Sequence, residues 1–255
     1  MRSSSLLGPS MPVAGIGALL GVWAHPDDEA YASAALMTLV RSAGNRVTVA
    51  TATRGEQGTQ EPDVWPPQRL AALREREMLA SLAALDVREH HWLGHQDGTL
   101  TEVHEDYAVQ QIIDLIDAVQ PDTIVTFGPD GLTGHPDHQT ISGWVTTAWH
   151  ALGRPGRLWY ATLTPEFHRT WEPINSRVGL WMPRAVPPCD PVADLAFALQ
   201  CDEQLLDRKL VALRAHASQT AHLIAALGVD HYRRWWATEA FVSADRQTDS
   251  RRTAA

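Results

Sequence analysis

The sequence is poor in cysteine, with Cys189 and Cys201 the two among 255 residues. They build no disulfide framework and lack the CxxC spacing of a metal knuckle, so a reducing compartment is expected. Positive charge is also short. Lys and Arg number 21 against 30 Asp and Glu, a net charge of −9 that leaves no basic footprint for nucleic acid or an anionic membrane. No apolar run is long enough to span a bilayer. The nearest, Met11–Ala24 behind a lone Arg2, faintly resembles a signal peptide. Cleavage near Ala24 would cut against the polar segment His25–Glu29, so Ala18–Ala24 reads as a buried strand and a cytoplasmic location is expected. A bias towards disorder is missing too: 44% of residues are apolar and 20% charged. With no repeat and no linker, one domain over residues 1–255 is expected, its core at about 18–243.

What is present is an alternation of strands and helices. Val47–Thr53 is short and β-branched, a second strand. Pro66–Leu85 is rich in helix formers, with Leu70, Leu73, Met78, Leu82 and Leu85 on one face. Arg88–Leu93 reads as a third strand. Tyr107–Val119 carries apolar residues at helical spacing and stops at Pro121. Thr123–Phe127 is a fourth strand, followed by a glycine-rich loop, a helix from about Asp137 to Leu152 and a strand near Leu158–Thr162. Proline-dense Pro165–Pro191 reads as an irregular excursion, Asp202–Leu227 as helix, and Ala244–Ala255 as a frayed end. The pattern predicts an α/β fold: a Rossmann-like, doubly wound, mainly parallel sheet with helices on both faces.

Twelve histidines are present, and their placement carries the functional signal. His25-Pro-Asp-Asp-Glu29 follows the first strand and Gly134-His-Pro-Asp-His138 follows the fourth. In open α/β sheets ligands bind beyond the carboxyl ends of the strands, so the two motifs can meet there. His25 and Asp28, three residues apart, can turn towards one divalent metal. A histidine of the second motif completes a His-Asp-His set, which leaves positions for water and substrate as in catalytic zinc sites. Asp27 lies between two ligands and is a candidate general base for a metal-activated water. The remaining histidine is free to stabilise an oxyanion. Taken singly, a His-Pro-Asp is an ordinary turn, and Asp27-Asp28 can simply cap a helix. Two such motifs at strand ends argue for a site.

At this point the sequence resembles the LmbE/PIG-L-like zinc N-deacetylases. Ala24–Glu29 and Gly134–His138 are similar to the paired signatures of that family. Thr53–Gly58 resembles its loop after the second strand, Arg74–Glu77 with Leu85–Val87 its helix and helix end, Asp97-Gly98 its Asp-Gly loop, and Lys209–Gln219 its late helical segment. The resemblance implies zinc as cofactor, or another divalent metal such as Fe2+, held by His25, Asp28 and His138. It implies Asp27 as the base and later the acid, His135 as an imidazolium that stabilises the oxyanion, and Asp137 as the group that orients His135. Arg54, Glu56, Arg74 and Asp97 become candidates for holding substrate hydroxyls, with His216 a weaker one. Two positions depart from the pattern. Asp86 replaces a common glycine at the helix end. Thr133 replaces the tyrosine of mycothiol-type deacetylases, which implies an oxyanion donor supplied elsewhere or a different substrate.

The expected substrate is a small acylated amino sugar or glycoconjugate. The runner-up is a thiol-conjugate or antibiotic-pathway amide. A non-haem iron oxygenase would share two histidines and a carboxylate, but typically as His-x-Asp on an all-β scaffold. A non-catalytic binding domain leaves the base, ligands and oxyanion histidine without a purpose. Of ten tryptophans, Trp144 and Trp149 are expected to pack. Trp65, Trp171 and Trp181 are candidates for a sugar pocket, and Trp235-Trp236 for a contact surface in a homo-oligomer.

Overall fold

Leu19–Trp23, Val47–Thr51 and Thr123–Phe127 are buried at every position, as strands covered on both faces must be. The structure is a computed structural model that describes residues 5–6 and 12–245. The strands are β1 (Ser5–Leu6), β2 (Leu19–Trp23), β3 (Val47–Thr51), β4 (Glu89–Trp92), β5 (Thr123–Phe127), β6 (Arg157–Thr162), β7 (Phe197–Gln200) and β8 (Thr238–Ser243). The helices are α1 (Asp28–Ser42), α2 (Pro67–Ala84), α3 (Glu105–Val119), α4 (Gly131–Gly134), α5 (Pro136–Ala151), α6 (Pro165–Val178), α7 (Glu203–Ala215), α8 (Ala217–Leu227) and α9 (Val229–Trp235).

One sheet runs in the order β1-β7-β8-β6-β5-β2-β3-β4. The pairs among β6, β5, β2, β3 and β4 are parallel; those of β6 with β8, β8 with β7 and β7 with β1 are antiparallel. The chain winds outward from β2 to β3 and β4, then returns to β5 beside β2 and winds the other way. Right-handed crossovers therefore put α1 and α2 on one face and α5 on the other. The helices accordingly pack as two groups, α7 with both α1 and α2, and α3 with α5. The expected Rossmann-like, mainly parallel sheet is what forms, and its winding reverses between β2 and β5.

Several segments depart from the sequence reading. Pro165–Pro191 opens with the helix α6, in spite of Pro173 within it. Proline forfeits one backbone hydrogen bond. Here Thr164 caps the start, Pro165 occupies the first turn and Gly179 closes the end at φ 64°. The single helix expected over Asp202–Leu227 breaks at His216, whose ψ of 49° is not helical, into α7 and α8. Strands β7 and β8 and the helix α9 were not expected. Ala244 and Asp245 lie in the described chain, and the rest of the segment expected to fray lies outside it. Trp235 and Trp236 are buried, so they do not form the contact surface expected of them, while Trp144 and Trp149 do pack in the core. Among the described residues no helix is long and apolar enough to cross a membrane.

Strand β4 carries a pH-sensitive element. Burial pushes the His90 imidazole down to about 4. Its Nε2 lies 3.0 Å from Thr51 Oγ1, and Trp92 meets the ring edge-on at 4.5 Å. The unfolded chain takes up this proton below the ordinary value of 6.5 while the fold resists until about 4. This contribution to stability is therefore present above pH 6.5 and is lost as pH falls towards 4. Thermal denaturation across that range should show His90→Gln losing less stability than the parent; parallel profiles would exclude His90 as the cause.

Candidate active site

β2 and β5 run side by side in register, Leu19 opposite Thr123 and Gly21 opposite Val125. Both histidine motifs leave their carboxyl ends. Phe127 at the end of β5 is a platform for the second motif: its ring stacks on His138 at 4.0 Å with 5° between planes. Nothing in the spacing pattern singled it out.

Hydrogen bonds fix which nitrogen of each ring faces the others. His138 Nδ1 donates to the Gly131 carbonyl at 3.0 Å, so Nε2 keeps its lone pair. His25 Nε2 donates to Asp97 Oδ1 at 3.0 Å and to Asp137 Oδ2 at 3.2 Å, so Nδ1 is left to face His138. His25 Nδ1 and His138 Nε2 are 3.2 Å apart. The Asp28 carboxylate lies 3.6 Å from the former and 3.4 Å from the latter. A tetrahedral zinc with bonds of about 2.1 Å has ligand edges of about 3.4 Å, so the donor set has the right size and chemistry.

The electrostatics favour positive charge here. Burial lowers the His25 pKa, but its hydrogen bonds to Asp137 and Asp97 outweigh that and raise it to about 10. Burial holds Asp28 up at about 7, and burial with the nearby histidines drives His138 well below the ordinary value. His135 offers a further nitrogen, since His25, His135 and His138 have ligand atoms within 4.8 Å of one another. His25, Asp97 and Asp137 form a second such group. Here the carboxylates share the Nε2 side of His25, the outer partners that orient a metal-ligating ring.

Asp27 caps α1 at φ 101°, ψ −27°. That left-handed conformation costs a non-glycine residue about 1–3 kcal/mol and persists only where the surroundings enforce it. The enforcement is visible. Asp27 N–H donates to Glu29 Oε2 at 3.0 Å. Arg74, buried in α2, donates to the Pro26 carbonyl, to Gly55 O at 2.8 Å and to Asp27 Oδ2 at 3.3 Å. A side chain at Gly55, itself at φ 65°, would collide with the Arg74 guanidinium, which accounts for the glycine in Arg54-Gly-Glu56. Glu29 Oε1 accepts from Ser81 and from His216 Nε2, each at 2.9 Å. Burial pushes the Asp27 carboxyl up, against the lowering charges of Arg74 and His216. A raised carboxyl suits a base that must also hand its proton on.

The expected substrate contacts sort differently from the sequence reading. Arg74 and His216 are buried and serve the Asp27 and Glu29 network. Asp97 is buried against His25, and its Oδ2 accepts from Gln57 N–H at 2.8 Å. Glu56 Oε1 accepts from Asp97 N–H at 3.0 Å and so shapes that loop. Arg54 turns away, to Glu75 at 3.6 Å and over the Trp92 ring at 4.9 Å. The turn at Gly55 separates Arg54 from Glu56. The Asp137 carboxylate is not hydrogen-bonded to His135: it accepts from Gly98 and Leu100 N–H and faces His25. His135 is the cap of α5, its Nδ1 accepting from Asp137 N–H at 3.2 Å. That bond leaves Nε2 as the donor of a neutral ring, and burial lowers the His135 pKa further. This geometry suits a neutral ring that donates from Nε2 rather than the imidazolium the resemblance implies.

Glu29 and Ser81, like Phe127, carry roles that sequence reasoning passed over, although Glu29 stands in the first motif. Removing His216 strands the buried Glu29 carboxylate, which typically costs about 3–5 kcal/mol. In a domain of this size His216→Ala should lower Tm by about 6–20 °C. An unchanged melting curve would mean that the pair carries no stability.

Comparison with known proteins gives a consistent picture. The family model described as PIG-L: GlcNAc-PI de-N-acetylase matches residues 20–149. A 1D-myo-inositol 2-acetamido-2-deoxy-alpha-D-glucopyranoside deacetylase of Corynebacterium diphtheriae is 30% identical over 223 residues, 78% of this chain and 75% of that protein. A probable N-acetyl-alpha-D-glucosaminyl L-malate deacetylase 2 of Bacillus subtilis is 31% identical over 211 residues, 82% of this chain and 86% of that protein. The fold is similar to the zinc-inhibited form of teicoplanin deacetylase Orf2, with TM-score 0.62, 16% identity, and 89% and 98% of the two chains covered. It is also similar to GalB, a 4-carboxy-2-hydroxymuconate hydratase of Pseudomonas putida KT2440, with TM-score 0.56, 15% identity, and 89% and 96% covered. Fold likeness at this level therefore does not choose the reaction; the site does.

Proposed function

Because the chain belongs to the PIG-L, GlcNAc-PI de-N-acetylase family, we propose that its site hydrolyses the amide of an N-acylated amino sugar or glycoconjugate. The observation that carries this reading is the facing of His25 Nδ1 and His138 Nε2 at 3.2 Å beside the Asp28 carboxylate, with strained Asp27 next to them. His25, Asp28 and His138 would hold a divalent metal, zinc or iron(II). Bound there, it supplies a Lewis acid for the acyl carbonyl and makes a water acidic enough to react.

The chain's own residues do the rest. Asp27 takes a proton from the attacking water, and its enforced backbone fixes the direction of that transfer. The water oxygen bonds to the acyl carbon as His135 Nε2–H donates to the carbonyl oxygen, which is gaining charge. Asp27 then gives its proton to the amide nitrogen, the C–N bond breaks with its electron pair going to nitrogen, and a carboxylic acid and an amine leave. Asp97 and Asp137 hold His25 with Nδ1 forward. Arg74 anchors the turn that carries Asp27.

The iron-oxygenase alternative is disfavoured by the parallel α/β sheet and by the general-base arrangement at Asp27. An amine-release screen of the zinc-loaded protein against N-acetylglucosamine conjugates, chitooligomers, glycopeptides and thiol-conjugate amides tests the reading. Release from the sugar amides is expected. Release confined to the thiol conjugates would move the substrate class, and release from none would refute the hydrolase.

A further inference from the structure

Two cavities of unlike chemistry adjoin at the site. The first, about 310 Å³, is lined by Asp27, Asp28 and His138 and is then walled by Leu132, Val178, Leu180, Leu223, Trp235 and Trp236. The second, about 890 Å³, is lined by Gln57, Thr59, Glu61 and Ser218, with the Trp65 ring on its wall. Gln219 and His222 line both. Most of the apolar wall comes from residues 178–236, beyond the span 20–149 that the family model matches. It is built by α6, α8 and α9 with the residues that follow α6 and α9.

An amide held at Asp27 has two arms, the acyl group and the amine-bearing sugar. One of them enters the first cavity. Beyond the reacting groups this cavity adds few polar partners, from Tyr31, Thr133, Gln219 and His222, so most sugar hydroxyls placed against its aliphatic and indole walls would lose water without regaining hydrogen bonds. The second cavity offers them amide, hydroxyl and carboxylate partners and a flat ring. An acetyl methyl would leave most of the first cavity without contact, and unfilled apolar space forfeits packing. We infer that the N-acyl group taken by this site is an alkyl chain longer than acetyl, seated between Leu223, Val178 and the Trp235-Trp236 pair. This rests on the hydrolase reading above and extends it. The reaction is unchanged in its balance: water gives hydroxyl to the acyl carbon and hydrogen to nitrogen, releasing a fatty acid and the free amine. Each methylene buried along that wall adds to binding.

The test compares kcat/KM of the metal-loaded protein for N-acetyl-, N-butanoyl- and N-octanoyl-glucosamine and for octyl N-acetylglucosaminide. The expected result is a rise with acyl length, at least about tenfold from acetyl to octanoyl, and no gain from the octyl glycoside. Leu223→Trp and Val178→Phe, both in the lining of the cavity, should each lower the octanoyl-to-acetyl ratio by about tenfold. Using both keeps the test valid if one variant fails to fold. Preference for acetyl, a gain that follows the octyl glycoside, or an unchanged ratio in both variants would overturn the inference and leave the hydrolase reading standing. No amine from any of the four substrates would overturn both.

Discussion

Asp27→Asn should hydrolyse N-acylated glucosamine about 10²–10⁴-fold more slowly than the parent, with its metal retained. The substitution isolates proton transfer. Asparagine is isosteric, tolerates a left-handed backbone better than most residues, and keeps an oxygen for the Arg74 contact at 3.3 Å. The donors His25, Asp28 and His138 are untouched. What disappears is the carboxylate, whose pKa burial raises towards the range useful to a base. Single-turnover rates with elemental analysis of the same sample separate the two effects. Turnover close to the parent's would remove Asp27 from the role.

His138→Ala should lose the metal itself, with affinity falling more than about 100-fold. His138 Nε2 faces both His25 and Asp28, while Nδ1 is tied to Gly131 and the ring lies flat on Phe127. Asp97→Asn gives the graded control. It touches the far nitrogen of His25 at 3.0 Å, so it should weaken metal binding by a smaller factor, about 10–100-fold. Titration after chelation and dialysis measures both. Unchanged metal content in His138→Ala would refute it as a ligand.

The sheet was legible because its inner strands are unambiguous. Thr123–Phe127 is a run of β-branched and aromatic residues between turn signals, and its observed bounds are the expected ones. The winding followed from the order of the elements, and with it the meeting of the motifs after β2 and β5. The antiparallel edge was not legible. Phe197–Gln200 has four residues, too few for a period to show. In α6 Pro173 masked an amphipathic helix whose ends are set by Thr164 and Gly179.

The roles around the histidines were only partly legible, for a different reason. A motif says which residues converge, not which atoms bond. Asp137 lies two residues from His135, so its backbone N–H caps that ring while its carboxylate reaches His25. The resemblance makes Arg74 and His216 candidate substrate contacts. Their pairing with Asp27 and Glu29 spans distant parts of the chain, and no local pattern records it. Thr133, the departure from the mycothiol-type pattern, lies 3.5 Å from His138 Nδ1 and lines the apolar cavity.

The central claim is that a divalent metal held by His25, Asp28 and His138 makes this protein an N-acyl hydrolase. The direct measurement is a titration of the metal-stripped protein with zinc while amine and carboxylate release from an N-acylglucosamine are followed together. The account predicts no release without metal, equal amounts of amine and acid with it, and activity rising to a break at one metal per chain. Release that persists in the stripped protein, or amine without an equal amount of acid, would contradict it.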